Sequence, residues 1–168
     1  VGHRALKGRV DRIAADTWMS IRQPEGALEG LAGECPGAAS LARYMGRSGC
    51  HPVFENTAVT YFPLGERKFE AMLAELEKAE HFIFLEYFIV DEGVMWGQIL
   101  EILAKKAAQG VDVRVMYDGT CEFSTLPHGY PKLLRELGIR CKVFAPAAPF
   151  VSTHYNYRDH RKILVIDG

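Results

Sequence analysis

His160, Lys162 and Asp167 stand in the order H-x-K-x4-D, and these residue types at this spacing suit attack on a phosphodiester. Residues two apart on an extended strand share a face, so His160 and Lys162 project together. Asp167 falls at the far end of the apolar run Ile163-Leu164-Val165-Ile166, where the chain turns. A neutral imidazole is a nucleophile near pH 7, because its ordinary pKa of about 6.5 leaves much of it unprotonated. A neighbouring ammonium neutralises phosphate oxygens as negative charge builds up in the transition state. From average residue usage, such a triplet arises by chance in roughly one chain of this length in a hundred. The alternative is a strand-end histidine beside two unrelated charges. The position of the motif, on a basic loop running into an apolar strand, weighs against that.

Glu86 sits alone among apolar residues in Phe82–Val90. A buried carboxylate is costly unless paired, so it either has a partner near the cleft, a catalytic histidine being one candidate, or lies at an exposed strand end. Arg158 and Arg161 with His154 form a basic patch suited to phosphates, although Arg161, opposite in strand parity to His160, reads better as solvated surface. His81 and His128 read as structural or solvent-facing. Phe150, Tyr155 and Tyr157 read as loop packing, with an acyl-chain approach as the alternative.

The elements that must position these groups follow from periodicity. Residues 1–50 are less regular, interrupted by Gly26, Gly30, Gly33, Gly37, Gly46 and Gly49, with short helices expected near Val10–Ile21 and Ala38–Met45. Ala58–Phe62 reads as a short strand and Pro63-Leu64-Gly65 as a turn. Glu66–Glu80 places Phe69, Met72, Leu73, Leu76 and Ala79 on one helical face. Phe82–Val90 is apolar on both faces, as in a strand covered on both sides. Val94–Gln109 is an amphipathic helix, with Gly110 as its C-terminal cap. Val111–Tyr117 is a strand, Tyr130–Leu137 a helix, Ile139–Phe144 a strand, Ala145–Tyr155 a loop and Lys162–Ile166 the final strand. Strands alternating with helices predict an α/β fold with a mixed, largely parallel sheet. The division expected is an irregular, partly helical arm over 1–50 and an α/β domain over 51–168.

With 20 Lys and Arg against 21 Asp and Glu, the formal charge is -1. The overall charge therefore draws the chain neither to nucleic acid nor to an acidic membrane, and any anion site must come from local clustering. Cys35, Cys50, Cys121 and Cys141 lack C-x-x-C or zinc-finger spacing and read as free thiols. The longest apolar stretch, Phe82–Val90, is far below the ~20 residues of a membrane span. The chain begins at Val1 rather than methionine and stops at Gly168 directly after an apolar strand, which reads as a fragment of a longer protein.

The motif resembles the H-x-K-x4-D signature of the phospholipase D superfamily. The likeness extends to Tyr61–Glu66, Phe82–Ile89, Gly110–Asp118 and Asn156–Lys162, which look like bacterial cardiolipin synthases, with coverage from about Ala38 to the end. The resemblance implies a phospholipase D-like α/β/α sandwich, here truncated. It also implies phosphatidyl transfer between two phosphatidylglycerol molecules through a phosphatidyl-histidine, without metal or other cofactor. Phospholipase or nuclease hydrolysis is the alternative. His160, Lys162 and Asp167 carry over as the catalytic motif, Asp167 better read as orienting it. Glu86, Arg158 and Asn156 are candidates to hold or support the phosphate. The family pairs two such motifs across one cleft, so the implied partners are a second phospholipase D-like half, phosphatidylglycerol and the cytoplasmic face of the bacterial membrane, with no nucleic acid. Whether His160 is nucleophile or general acid stays open. On its own, a one-motif fragment is expected to be inactive.

Overall fold

A computed structural model describes residues 2–21, 23–49, 51–146 and 158–168. They form seven helices and four strands, divided into two compact units, residues 1–61 and 62–168.

The first unit is helical: α1 (Gly2–Ser20), α2 (Ala27–Glu34) and α3 (Pro36–Ser48). The two expected helices are present and longer than their apolar stripes. The glycines at 30 and 33 hid α2, although each raises the cost of a helix by only about 1 kcal/mol. Gly26 enters α2 in the left-handed region at φ 80°, and Pro36 occupies the first turn of α3, where its missing N–H is not needed. Ala27 and Ala39 are buried between these helices. The Gln23 side chain accepts the Val53 N–H at 2.8 Å and donates to the Val53 carbonyl at 3.0 Å. The strand expected over 58–62 does not form. Val59 and Tyr61 are 85% and 83% exposed, and a β-prone segment without a neighbouring strand has nothing to pair with.

The second unit carries α4 (Gly65–Lys78), β1 (Phe82–Tyr87), α5 (Val94–Ala108), β2 (Asp112–Asp118), α6 (Cys121–Ser124), α7 (Tyr130–Glu136), β3 (Arg140–Phe144) and β4 (Lys162–Ile166). The sheet order is β3-β2-β1-β4. β1, β2 and β3 run parallel, while β4 returns antiparallel to β1 with Lys162 opposite Tyr87 and Ile166 opposite Ile83. This is an α/β fold with a mixed, largely parallel sheet.

Alternation assigns the two faces of the sheet. Ile83, Leu85, Val113, Val115 and Tyr117 point into one core with Leu76, Ile99, Leu103 and Leu134 from α4, α5 and α7. The opposite face bears Phe82 stacked on Phe84 at 4.6 Å and Arg114 lying 4.6 Å over the Phe84 ring. Ile163 and Val165 on this face are exposed. Within the second unit no described helix packs on it, so the helices of that unit shelter β1 on one side rather than both. The arrangement matches an α/β/α sandwich lacking one outer layer. Leu103 is fully buried at the centre of the core. Leu103→Ala is expected to lower unfolding free energy by about 2–5 kcal/mol, read from urea unfolding.

No helix among the described residues is long and apolar enough to cross a membrane. Cys35, Cys121 and Cys141 are free thiols, and burial pushes the Cys141 thiol up to about 11. Cys50 lies outside the described residues.

Candidate functional site

The antiparallel return of β4 decides where the motif residues lie. β1, β2 and β3 end together at Tyr87, Asp118 and Phe144, and β4 starts at that same edge because Lys162 pairs with Tyr87. Open α/β sheets bind ligands outside the carboxyl ends of their parallel strands. His160 and Lys162 are exposed at this edge.

Lys162 Nζ lies 2.9 Å from His160 Nδ1 and donates to the His160 carbonyl at 2.7 Å. An ammonium has only donors, so Nδ1 accepts, and the neutral ring carries its proton on Nε2. The imidazole packs against the Phe88 ring at 4.2 Å between centroids, and Lys162 Nζ is 5.3 Å from the same ring. Phe88 therefore supplies an apolar wall to both groups.

Asp167 is at the other end of the strand. At ~3.3 Å rise per residue, it lies roughly 17 Å along β4 from Lys162. Its Oδ2 accepts the Glu80 N–H at 2.7 Å, and its Oδ1 accepts those of His81 and Phe82, both at 2.8 Å. These amides precede and open β1, so Asp167 fastens the end of β4 to the start of its neighbour. The Glu80 and Phe82 amides hold its carboxyl below the usual range.

Glu86 is partly buried, its side chain 20% exposed, and its partner is not a histidine. Arg161 Nη2 approaches its Oε1 to 2.8 Å, a contact at ion-pair distance without hydrogen-bond alignment. Asp159 pairs with the same guanidinium, through Arg161 Nε at 2.9 Å. Desolvation raises the Glu86 carboxyl, with Asp159 adding to the effect. Asp159 moves the opposite way, to about 2, chiefly because of the Arg161 guanidinium. Arg161 is thus exposed yet engaged, bridging two acids rather than lying free on a solvated surface.

Two further residues emerge from the structure. Asp118, fully buried at the end of β2, accepts the Thr120 N–H and Arg158 Nη1 on Oδ1 at 2.9 and 3.2 Å. Its Oδ2 accepts the Asp159 N–H at 3.2 Å. Arg158 also donates to the Ala145 carbonyl at 3.3 Å. Gly119 permits this crossing, since a Cβ there would lie 2.5 Å from the Ala145 oxygen. Asp118 and Asp159 join partners through tertiary contacts and leave little local trace. The available signal was an acid closing a parallel strand and another acid preceding the histidine. His81 and His128 are exposed. Phe150, His154, Tyr155, Asn156 and Tyr157 lie outside the described residues. Among the described residues no group of three or more His, Cys, Asp or Glu is placed to hold a metal.

Asp159 and Asp167 make folding stability depend on acid. Both have folded-state pKa values below the ordinary carboxyl value near 3.9, so their contribution is complete above that value and falls away toward pH 2. Glu86, raised by burial, acts with the opposite sign and becomes less unfavourable as pH falls through its raised value. Urea midpoints measured between pH 5 and 2 should fall less steeply in Asp167→Asn than in the wild type. An unchanged slope would remove Asp167 from the acid response.

No family model matches the chain. It is 53% identical over 167 residues, 99% of its length, to an uncharacterized protein of Streptococcus mutans. It is 42% identical over 134 residues to a cardiolipin synthase of Geobacillus kaustophilus and 34% over 127 residues to cardiolipin synthase A of Pseudomonas entomophila. Those stretches are 79% and 75% of this chain. The chain spans 36% of the Streptococcus protein's length and 26% of each of the two synthases. This similarity and this α/β fold relate the chain to the cardiolipin synthases and, through them, to the phospholipase D superfamily.

Proposed function

We propose that this chain supplies one half-site of a phosphatidyltransferase that makes cardiolipin from two phosphatidylglycerol molecules. The observation that carries the reading is the His160–Lys162 pair, 2.9 Å apart at the carboxyl edge of the sheet, in a relative of cardiolipin synthases.

In the first step a histidine nitrogen attacks the phosphorus of phosphatidylglycerol. A P–N bond forms, the P–O bond to the headgroup glycerol breaks, and the departing oxygen takes a proton from a general acid. In the second step a headgroup hydroxyl of another phosphatidylglycerol attacks the same phosphorus. Its proton passes to the group that acted as acid, and the P–N bond breaks, giving cardiolipin and free histidine. His160 is either the nucleophile or the acid, with the other role taken by the second phospholipase D-like half of the protein. The Nδ1 contact with Lys162 leaves the neutral ring's proton on Nε2; acting as the acid requires the imidazolium, whose two N–H donors make Lys162 give up Nδ1. Attack through Nε2 requires the lysine to exchange Nδ1 for phosphate oxygen, which a bound phosphodiester invites. Arg158 and Asn156 are further candidates to hold the phosphate. The site faces phospholipid at the cytoplasmic side of the membrane, and the chemistry calls on no metal.

The chain has one H-x-K-x4-D motif, so the 168 residues alone are expected to show no turnover. The test is the full-length protein on phosphatidylglycerol vesicles with and without EDTA. Cardiolipin in equal yield under both conditions is expected. Phosphatidic acid as the main product would favour the hydrolase alternative, and abolition by EDTA would refute the metal-free mechanism.

A further inference from the structure

We infer that Asp159 and Asp118 are positioning residues that clamp the backbone on either side of His160, an inference that rests on His160 being a reactive group of the site. Residues 159–161 precede the β4 ladder, which begins at Lys162. Their backbone groups therefore need partners from elsewhere. Those partners are side chains. Asp118 Oδ2 accepts the Asp159 N–H at 3.2 Å. Asp159 Oδ1 accepts the Arg161 N–H at 3.2 Å, closing an Asx-turn with His160 as its central residue. The His160 carbonyl accepts from Lys162 Nζ at 2.7 Å.

The burial pattern fits a clamp. Asp118 and Asp159 are 0% and 6% exposed, whereas the histidine they bracket is exposed at the sheet edge. Arg158 fixes the buried Asp118 from one side, and Arg161 fixes Asp159 through Nε at 2.9 Å and Nη2 at 3.3 Å. The acids are thus held by cations, and each uses a remaining oxygen contact to hold main chain beside His160. Phe88 then limits the ring from its face. A side chain on an exposed strand start would otherwise sweep through several rotamers, and a 1 Å misplacement of a reacting group can cost about 100-fold in rate.

Turn and charge can be separated at Asp159. Asparagine keeps the acceptor that closes the Asx-turn but loses the charge; glutamate keeps the charge for Arg161 but is one methylene too long for the turn. In the full-length protein, Asp159→Glu is expected to lower kcat for cardiolipin formation about 100-fold with KM within about 3-fold, while Asp159→Asn recovers kcat to within about 3-fold of wild type. The His160 imidazole resonances should shift in the glutamate variant and return in the asparagine one. Equal loss in both variants, full activity in Asp159→Glu, or loss of the folded far-UV spectrum in both would overturn the clamp. His160→Asn is the control. If it stays active, the reading of the site fails; if it is inactive while Asp159→Glu is fully active, only the clamp fails.

Discussion

His160→Asn in the full-length protein should reduce cardiolipin formation about 10,000-fold or more while leaving the fold intact. Asparagine has neither a nucleophilic nitrogen nor a group that donates and recovers a proton near neutrality. The loss is therefore expected whether His160 attacks phosphorus or protonates the departing glycerol. The fold should survive, because His160 is exposed and its side chain touches Phe88 and Lys162 rather than the core. Far-UV circular dichroism and the urea midpoint should match wild type. A folded variant retaining more than about one hundredth of the rate would remove His160 from the reaction.

Asp118→Ala carries the largest expected effect on stability. Alanine removes the acceptor for two amides, those of Thr120 and Asp159, together with the carboxylate that pairs with Arg158. The Arg158 side chain is only 15% exposed and Asp118 is wholly buried, so water screens the pair little. Removing one partner of such a pair costs about 3–5 kcal/mol. Urea unfolding of the chain should register that loss. A loss below about 1 kcal/mol would mean that Arg158 and both amides find other acceptors, and that Asp118 is not the anchor of this corner.

Much of the α/β unit was legible in the sequence because its elements carry strong periodicity. The stripe from Phe69 to Leu76 gave a helix, and the apolar runs before and after α5 gave β1 and β2. The placement of Lys162 at the start of a strand, with His160 two residues ahead of it, followed from the apolar run behind them. The first unit was less readable. Its glycines hid α2, and the β-branched character of 58–62 suggested a strand that has no neighbour to pair with.

What the sequence concealed in the site is tertiary. Nothing local announces that Asp118 reaches the Asp159 amide across 41 positions, or that Asp167 caps three amides at the opposite edge from His160. The antiparallel return of β4 creates both facts. It carries the motif's histidine and lysine to the carboxyl edge of the parallel strands and takes its aspartate away. Glu86 illustrates the same limit. Its need for a partner was evident from its apolar surroundings, but that the partner is Arg161 depended on the register of β4 against β1, which sets Ile163 opposite Glu86.

The most direct test of phosphatidyl transfer is to run the full-length protein on phosphatidylglycerol vesicles in water enriched in oxygen-18. Cardiolipin with no excess label in its phosphates is expected, accompanied by one glycerol for each cardiolipin, because the phosphatidyl group passes from histidine to a lipid hydroxyl. Phosphatidic acid as the main product, carrying oxygen-18 on phosphorus, would show that water takes the phosphatidyl group and would contradict the account.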